Sequence, residues 1–352
     1  TIMSYAGICG TDNVTNNADL YYHAGSIEEI RNYILYANGN VCGSYIETGN
    51  TAPVVTLSYK DGFYIPISTP FELDGSAVDA DGDKMNYSWE EMDAGPEVPL
   101  GEPSGDAAIF RTYLADSVTY RYFPKLTKII NGINQNDFTE QLPTYTRNLK
   151  FRLTARDNRP NGGGVGWADV AFRASGDAGP FRVTNPNASS VSWRIGEYVN
   201  VQWDVANTDK GFVNCQKVNI RLSTDGGKTY PITLASGVPN NGSQYVLVPN
   251  KVNITSRIRI DAVDNVFFDI SNANFRILPR LFTNNAAGAV RLGNGTPIGA
   301  VSSAYDEKDI WYVDLGGDYE HRFDGQNAVK LINVNRLVNW RPQQVITQNV
   351  LG

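Results

Sequence analysis

The sequence predicts a mainly β protein, built of tandem antiparallel β-sandwiches behind one short helical segment. Two patterns carry this expectation. From about residue 51 onward, apolar residues recur at every second position in short runs, and Gly, Pro, Asn and Asp punctuate those runs. The extended run with helical spacing lies before residue 50.

In that opening segment Ile27, Ile30, Ile34 and Leu35 share a helical stripe. Ser26 with Glu29 reads as a capping box at the helix start, and Gly39 as its stop. ETGNTAPVV then reads as a linker and sets a boundary near residue 50. Residues 51–176 are expected to form the first sandwich. There YIPISTPFELDGSAVDADGDKMNYSWEEMD reads as strand, acidic turn, strand, and an irregular middle carries a short helix around KLTKIINGI. Leu149, Phe151 and Leu153 alternate with Lys150, Arg152 and Thr154. Asn161 to Gly164 turns the chain and Trp167 to Phe172 returns it as a hairpin.

Residues 177–279 read as a second sandwich. Val199, Val201 and Trp203 share one face, and Val218, Ile220 and Leu222 alternate into the glycine turn Asp225-Gly226-Gly227. YVLVP, SRIRIDAV and ANFRIL supply further short strands. Residues 280–352 form a further β-rich segment with WYVDLGG, EHRF and AVKLINV, expected to be cut short at its far end.

The 352 residues suffice for two or three domains, each with its own core. A net charge of −7 without a basic cluster gives no footprint for a phosphate backbone, so nucleic acid is excluded as a partner. No run of about 18 apolar residues predicts a membrane span. Thr stands at position 1 and no charged-then-apolar leader follows, so the chain is expected to start inside a longer polypeptide. Cys9 and Cys42 lie close enough in the opening segment for one disulfide in an oxidising exterior. The alternative is three reduced thiols, and Cys215 is left over on either reading.

Thr1-Ile2-Met3-Ser4-Tyr5 resembles the Met-turn of metzincin zinc peptidases. AGICGTDNV and YYHAGSIEEI are similar to the C-terminal helix region of reprolysin-like metallopeptidases of Bacteroidetes-type bacteria. GSAVDADGDKMNYSWEEMD and VNIRLSTDGGKTYP look like the accessory modules of such proteins, cadherin- or PKD-like for 51–176 and Ig-like for 177–279. The resemblance covers about residues 1–279, so residues 1–50 would be the helical remnant of a metzincin domain. It implies a secreted or cell-surface bacterial protein that hydrolyses peptides with zinc held by an HExxHxxGxxH helix. Only the structural floor, Met3 and Tyr5, has a match here. The two histidines, His23 and His321, stand outside any HExxH, so zinc and the catalytic residues are expected only in an upstream catalytic domain.

The positive signal within the chain is Asp79-Ala80-Asp81-Gly82-Asp83. Alternate carboxylates around a glycine turn converge hard oxygens as calcium requires, with Asp157 approaching from a neighbouring strand end. The cluster falls short of an EF-hand loop, whose closing glutamate at the twelfth position is not matched, since Glu90 there stands on a predicted strand. The other reading is a solvated acidic turn. Trp89, Trp167, Trp193, Trp203, Trp311 and Trp340 would serve as a ligand platform or as core anchors, and their strand positions favour core.

Two functions are consistent with these features. One is the non-catalytic C-terminal portion of a secreted zinc metallopeptidase, whose sandwiches attach substrate or surface. The other is an extracellular structural or adhesive protein, a filament or oligomer subunit with a vestigial peptidase-like segment. Both expect a protein, cell-surface or matrix ligand, with homo-oligomers formed through open strand edges.

Overall fold

The computed structural model describes residues 6–41, 43–132 and 138–279, together with the backbone of five strands between 303 and 349. Helix α1 (Ala24–Tyr36) is followed by short strands β1 (Val54–Thr56), β2 (Tyr64–Pro66), β3 (Phe71–Leu73) and β4 (Ser76–Val78). Then come β5 (Asn86–Glu91), β6 (Arg121–Phe123), helix α2 (Leu126–Ile130), and the long hairpin β7 (Arg147–Arg156) and β8 (Val165–Ser175). Next are β9 (Arg182–Asn185), β10 (Ser192–Arg194), β11 (Tyr198–Asp204), β12 (Lys217–Ser223), β13 (Ile232–Pro239) and β14 (Ser243–Leu247). They lead to β15 (Asn253–Ala262), β16 (Phe268–Ile270) and β17 (Phe275–Leu278). The last five are β18 (Ser303–Tyr305), β19 (Ile310–Asp314), β20 (Tyr319–Asp324), β21 (Val329–Asn333) and β22 (Val345–Asn349).

The chain divides into two compact units. The first comprises Thr1–Ser189, Asn200–Gln244 and Thr255–Phe275, and the second Ser190–Val199, Tyr245–Ile254 and Arg276–Gly352.

In the first unit a four-stranded sheet runs in the order β2-β8-β7-β5. The β7–β8 register pairs Leu149 with Phe172, Phe151 with Val170 and Leu153 with Ala168. Period-two alternation therefore turns Leu149, Phe151, Leu153 and Ala155, all wholly buried, to one face. The β3–β6 pair sets Phe71 opposite Phe123. Their rings stack at 4.9 Å, and Phe123 meets Phe151 edge-on at 4.6 Å. Each such ring contributes on the order of 2 kcal/mol through the apolar area it removes from water.

The irregular middle is tied down by carboxylates where strands are lacking. Glu91 of β5 accepts the N–H groups of Ile109 and Phe110, both at 2.7 Å. Glu140 is buried against Arg121 at 2.8 Å, Tyr113 at 2.9 Å and Lys128 at 3.0 Å.

Also in this unit β12 lies between β13 and β15, and β16 adds to β15. Val218, Ile220, Leu222, Ile258 and Ile260 are fully buried there. Segments on either side of residue 176 join through backbone bonds, Glu72 N to Val266 O and Phe268 N to Pro70 O, both 2.9 Å. Arg259 adds a buried clasp, donating to Glu72 and Asp261 at 2.5 Å each while lying over the Phe268 ring.

In the second unit β10 pairs in parallel with β17. The backbone of β18 to β22 forms a five-stranded sheet in sequence order, each neighbouring pair antiparallel.

Helix α1 departs from the expected start. It begins at Ala24, not after Ser26, and its N-cap is His23, whose Nδ1 accepts from Gly25 N at 3.1 Å. The reason is tertiary: the buried Glu90 carboxylate accepts the Ala24 N–H at 3.2 Å and fixes the helix start. Among the residues of α1 only Ala24 is buried, while Ile30, Tyr33, Ile34, Leu35 and Tyr36 are exposed.

Candidate metal centre and its joint to the linker

The acidic turn follows β4 directly. Asp79 Oδ1 accepts the N–H groups of Asp81 at 2.9 Å and Asp83 at 3.1 Å, folding the turn around its own side chain. Gly82 sits at a φ of +77°, which a side chain would strain. One carboxylate oxygen from each of Asp79, Asp81 and Asp83 then lies within 4.8 Å of the other two. Asp79 Oδ2 and Asp83 Oδ2 are shielded from solvent and make no hydrogen bond.

The linker closes against this turn. Asp81 Oδ2 accepts the Thr51 N–H at 2.6 Å. Arg159, just beyond β7, stands 3.5 Å from Asp81 and 4.0 Å from Asp83, and donates to Gly49 O at 3.2 Å. Asp157 is 2% exposed and serves a different set of donors. It accepts from Asn50 Nδ2 at 2.7 Å, Arg159 N at 3.1 Å and Gly164 N at 2.8 Å. Burial alone would raise its pKa, but these bonds and Arg159 hold the carboxyl below its ordinary value. The glycines of the β7–β8 turn make the approach sterically feasible: a Cβ on Gly164 would lie 2.7 Å from Ala52, and one on Gly166 1.8 Å from Pro53 O.

The donor set is all carboxylate oxygen, which suits a hard cation such as calcium better than zinc, whose structural sites are built mainly from cysteine and histidine. The fold thus brings Asp79, Asp81 and Asp83 into one group, while Asp157 reaches the same joint through Asn50 and Arg159. The linker residues Asn50 and Thr51 and the cation Arg159 carry no local signal in the sequence, because only the folded hairpin brings them to the turn. Glu90 lies wholly buried on β5 and faces α1, with His23 Nε2 at 3.9 Å and Arg156 at 3.8 Å. Burial drives its carboxyl upward, against the pull of His23 and Arg156.

Met3, Tyr5, Cys42 and Trp340 lie outside the described residues, and with Cys42 the pairing proposed for Cys9 does too. His321 stands on β20 and Trp311 on β19. Cys215 is buried, its thiol donating to Lys217 O at 3.2 Å. Trp89, Trp193 and Trp203 are buried, whereas the Trp167 ring has the guanidinium groups of Arg31 and Arg152 at 5.0 and 4.9 Å from its centroid.

No protein family's sequence profile matches the chain, and no curated protein matches it. Solved structures with which it shares similarity include the FN1-FN3 domains of chicken CNTN1. That pair is 13% identical over 68% of this chain and 69% of the other, with a TM-score of 0.25. Drosophila N-cadherin EC1-4 is 15% identical over 66% and 50%, with a TM-score of 0.19. The N-terminal four Ig domains of Dscam1 isoform 8.4 are 8% identical over 66% and 48%, with a TM-score of 0.18. At such scores no residue of this chain is matched to one of theirs. The pairing of the sheets follows from the strand register itself. No helix among the described residues is long and apolar enough to cross a membrane.

Proposed function

We propose that the chain is a non-catalytic attachment and spacing segment of a secreted or cell-surface bacterial protein, in which calcium at Asp79, Asp81 and Asp83 stiffens the joint between the opening segment and the first sandwich. One observation carries this reading. Asp81, which completes the three-carboxylate group, also holds the linker through Thr51 N–H, so filling the turn and fixing the linker are one event. A stiff joint keeps a ligand-binding module at a set distance from its neighbour, as attachment to a protein, cell surface or matrix requires.

Thermal melts test the cation. Millimolar calcium is expected to raise Tm by several degrees and a chelator to reverse it, as follows from about 2–3 kcal/mol of linkage at saturation. Asp81→Asn and Asp83→Asn should lose the shift. An unchanged Tm in calcium would remove the joint from the proposal.

The resemblance of Thr1 to Tyr5 to a Met-turn supports a zinc metallopeptidase as the parent protein, with zinc and catalysis supplied outside this chain. Peptide hydrolysis by the full-length parent, abolished by a zinc chelator, is the expected result. The exposed apolar residues of α1 favour a second reading, an adhesive oligomer or filament subunit. Light scattering that finds only monomer at high concentration would dispose of it.

A further inference from the structure

A cavity of about 620 Å³ opens in the first unit, away from the acidic turn. Its walls come from the segment before β3, from α2, from residues 141–144, from β9 and from β16. Strand β16 places one carboxylate there. Phe268 and Ile270 point into the core, so the pleat turns Asp269 between them to the opposite side, where it lines the cavity. Asp269 Oδ2 accepts the Val183 N–H at 2.7 Å. Among the described residues the carboxylate forms no ion pair. Among the described lining residues, Arg182, exposed on β9, is the one other charged side chain.

We propose that this cavity is a binding site for an organic cation, a primary ammonium received by Asp269. An anion would meet a carboxylate at the inner wall. An ammonium carries three N–H donors, and Gln141, Thr144 and Asn272 supply neutral oxygens for those that Asp269 does not take. Pro70 and Leu142 give the alkyl stem an apolar wall. The volume exceeds that of a small amine and leaves room for a larger molecule or for a lysine side chain carried on a peptide. Burial raises the Asp269 carboxyl to about 7, against the pull of its backbone donors and of Arg182. An arriving cation therefore restores the ionised form and releases a proton.

The test is calorimetric titration of the full chain with n-butylammonium in one arm and a blocked Gly-Lys-Gly peptide in the other. Saturable binding in either arm is expected, roughly tenfold tighter at about pH 8 than at about pH 6, with heats that vary with buffer ionisation. Tighter binding in the first arm identifies a free amine as the source, and in the second a protein lysine. Asp269→Asn keeps the acceptor for Val183 N–H and should weaken binding at least about tenfold. Arg182→Ala removes a competing cation and should tighten it. Absence of saturable binding in both arms, undiminished binding by Asp269→Asn, or loss of binding in Arg182→Ala would each overturn the proposal.

Discussion

Asp225 and Asp269 are driven in opposite directions by their surroundings. Asp225 begins the glycine turn after β12. Burial would raise its carboxyl, but hydrogen bonds from Thr229, Ser223 and Lys228 outweigh that and hold it at about 2. A folded-state pKa below the unfolded one gives stability that is present above pH ~4 and is lost as pH falls toward 2. Because the turn is exposed and solvent screens the carboxylate, Asp225→Ala should cost no more than about 1 kcal/mol at neutral pH in urea denaturation, with the difference fading in acid. Asp269 has the reverse sign. Its folded-state pKa lies above the unfolded one, so stability is complete below pH ~4 and declines as pH rises toward 7. Asp269→Asn should then be more stable than the parent above pH 7, by on the order of 2 kcal/mol, and equal to it near pH 4. A variant equally destabilised at both pH values would refute this.

At the scale of elements, helix α1 is held by polar clasps more than by its apolar stripe. Arg152 on β7 reaches Glu28 at 2.6 Å and grips Asp169 on β8 with its other nitrogens at 2.6 and 2.9 Å. Glu90 takes the first N–H of the helix. Arg152→Ala should accelerate amide exchange throughout residues 24–36, equivalent to about 1–3 kcal/mol of local stability. Amides of β7 and β8 that pair in the hairpin should keep their protection. Uniform acceleration across helix and sheet would place the effect elsewhere.

The helix also marks how far local sequence reaches. Its existence is legible in the spacing of Ile27, Ile30 and Ile34, but its start is not, because Ser26 with Glu29 satisfies the capping pattern while Glu90 and His23 set the true boundary. The β7–β8 hairpin is legible in its alternation from Leu149 to Leu153, but its second face is not: Arg152 and Thr154, expected to face water, are buried. Arg152 is buried because Glu28 of α1 and Asp169 of β8 close over it. The Asp79 turn is legible because its carboxylates are neighbours in sequence. Asp269, a lone acid between Phe268 and Ile270, gives no local sign of facing a cavity, because four distant segments build the walls.

For the whole molecule, the consequential feature is the joint where linker, acidic turn and hairpin tip meet. Thr51 N–H bonds Asp81, Asn50 bonds Asp157, and Arg159 stands over both linker and turn. The guanidinium offsets only part of the negative charge, leaving Asp79 Oδ2 and Asp83 Oδ2 shielded yet without a hydrogen bond. A divalent cation would satisfy those oxygens and reduce the freedom of the linker. Hydrogen exchange at the Thr51 amide, followed in millimolar calcium and in chelator, reads this joint directly. Calcium is predicted to slow exchange there by about tenfold or more, with Asp81→Asn abolishing the difference. Equal exchange at Thr51 in both conditions would contradict a calcium-stiffened joint.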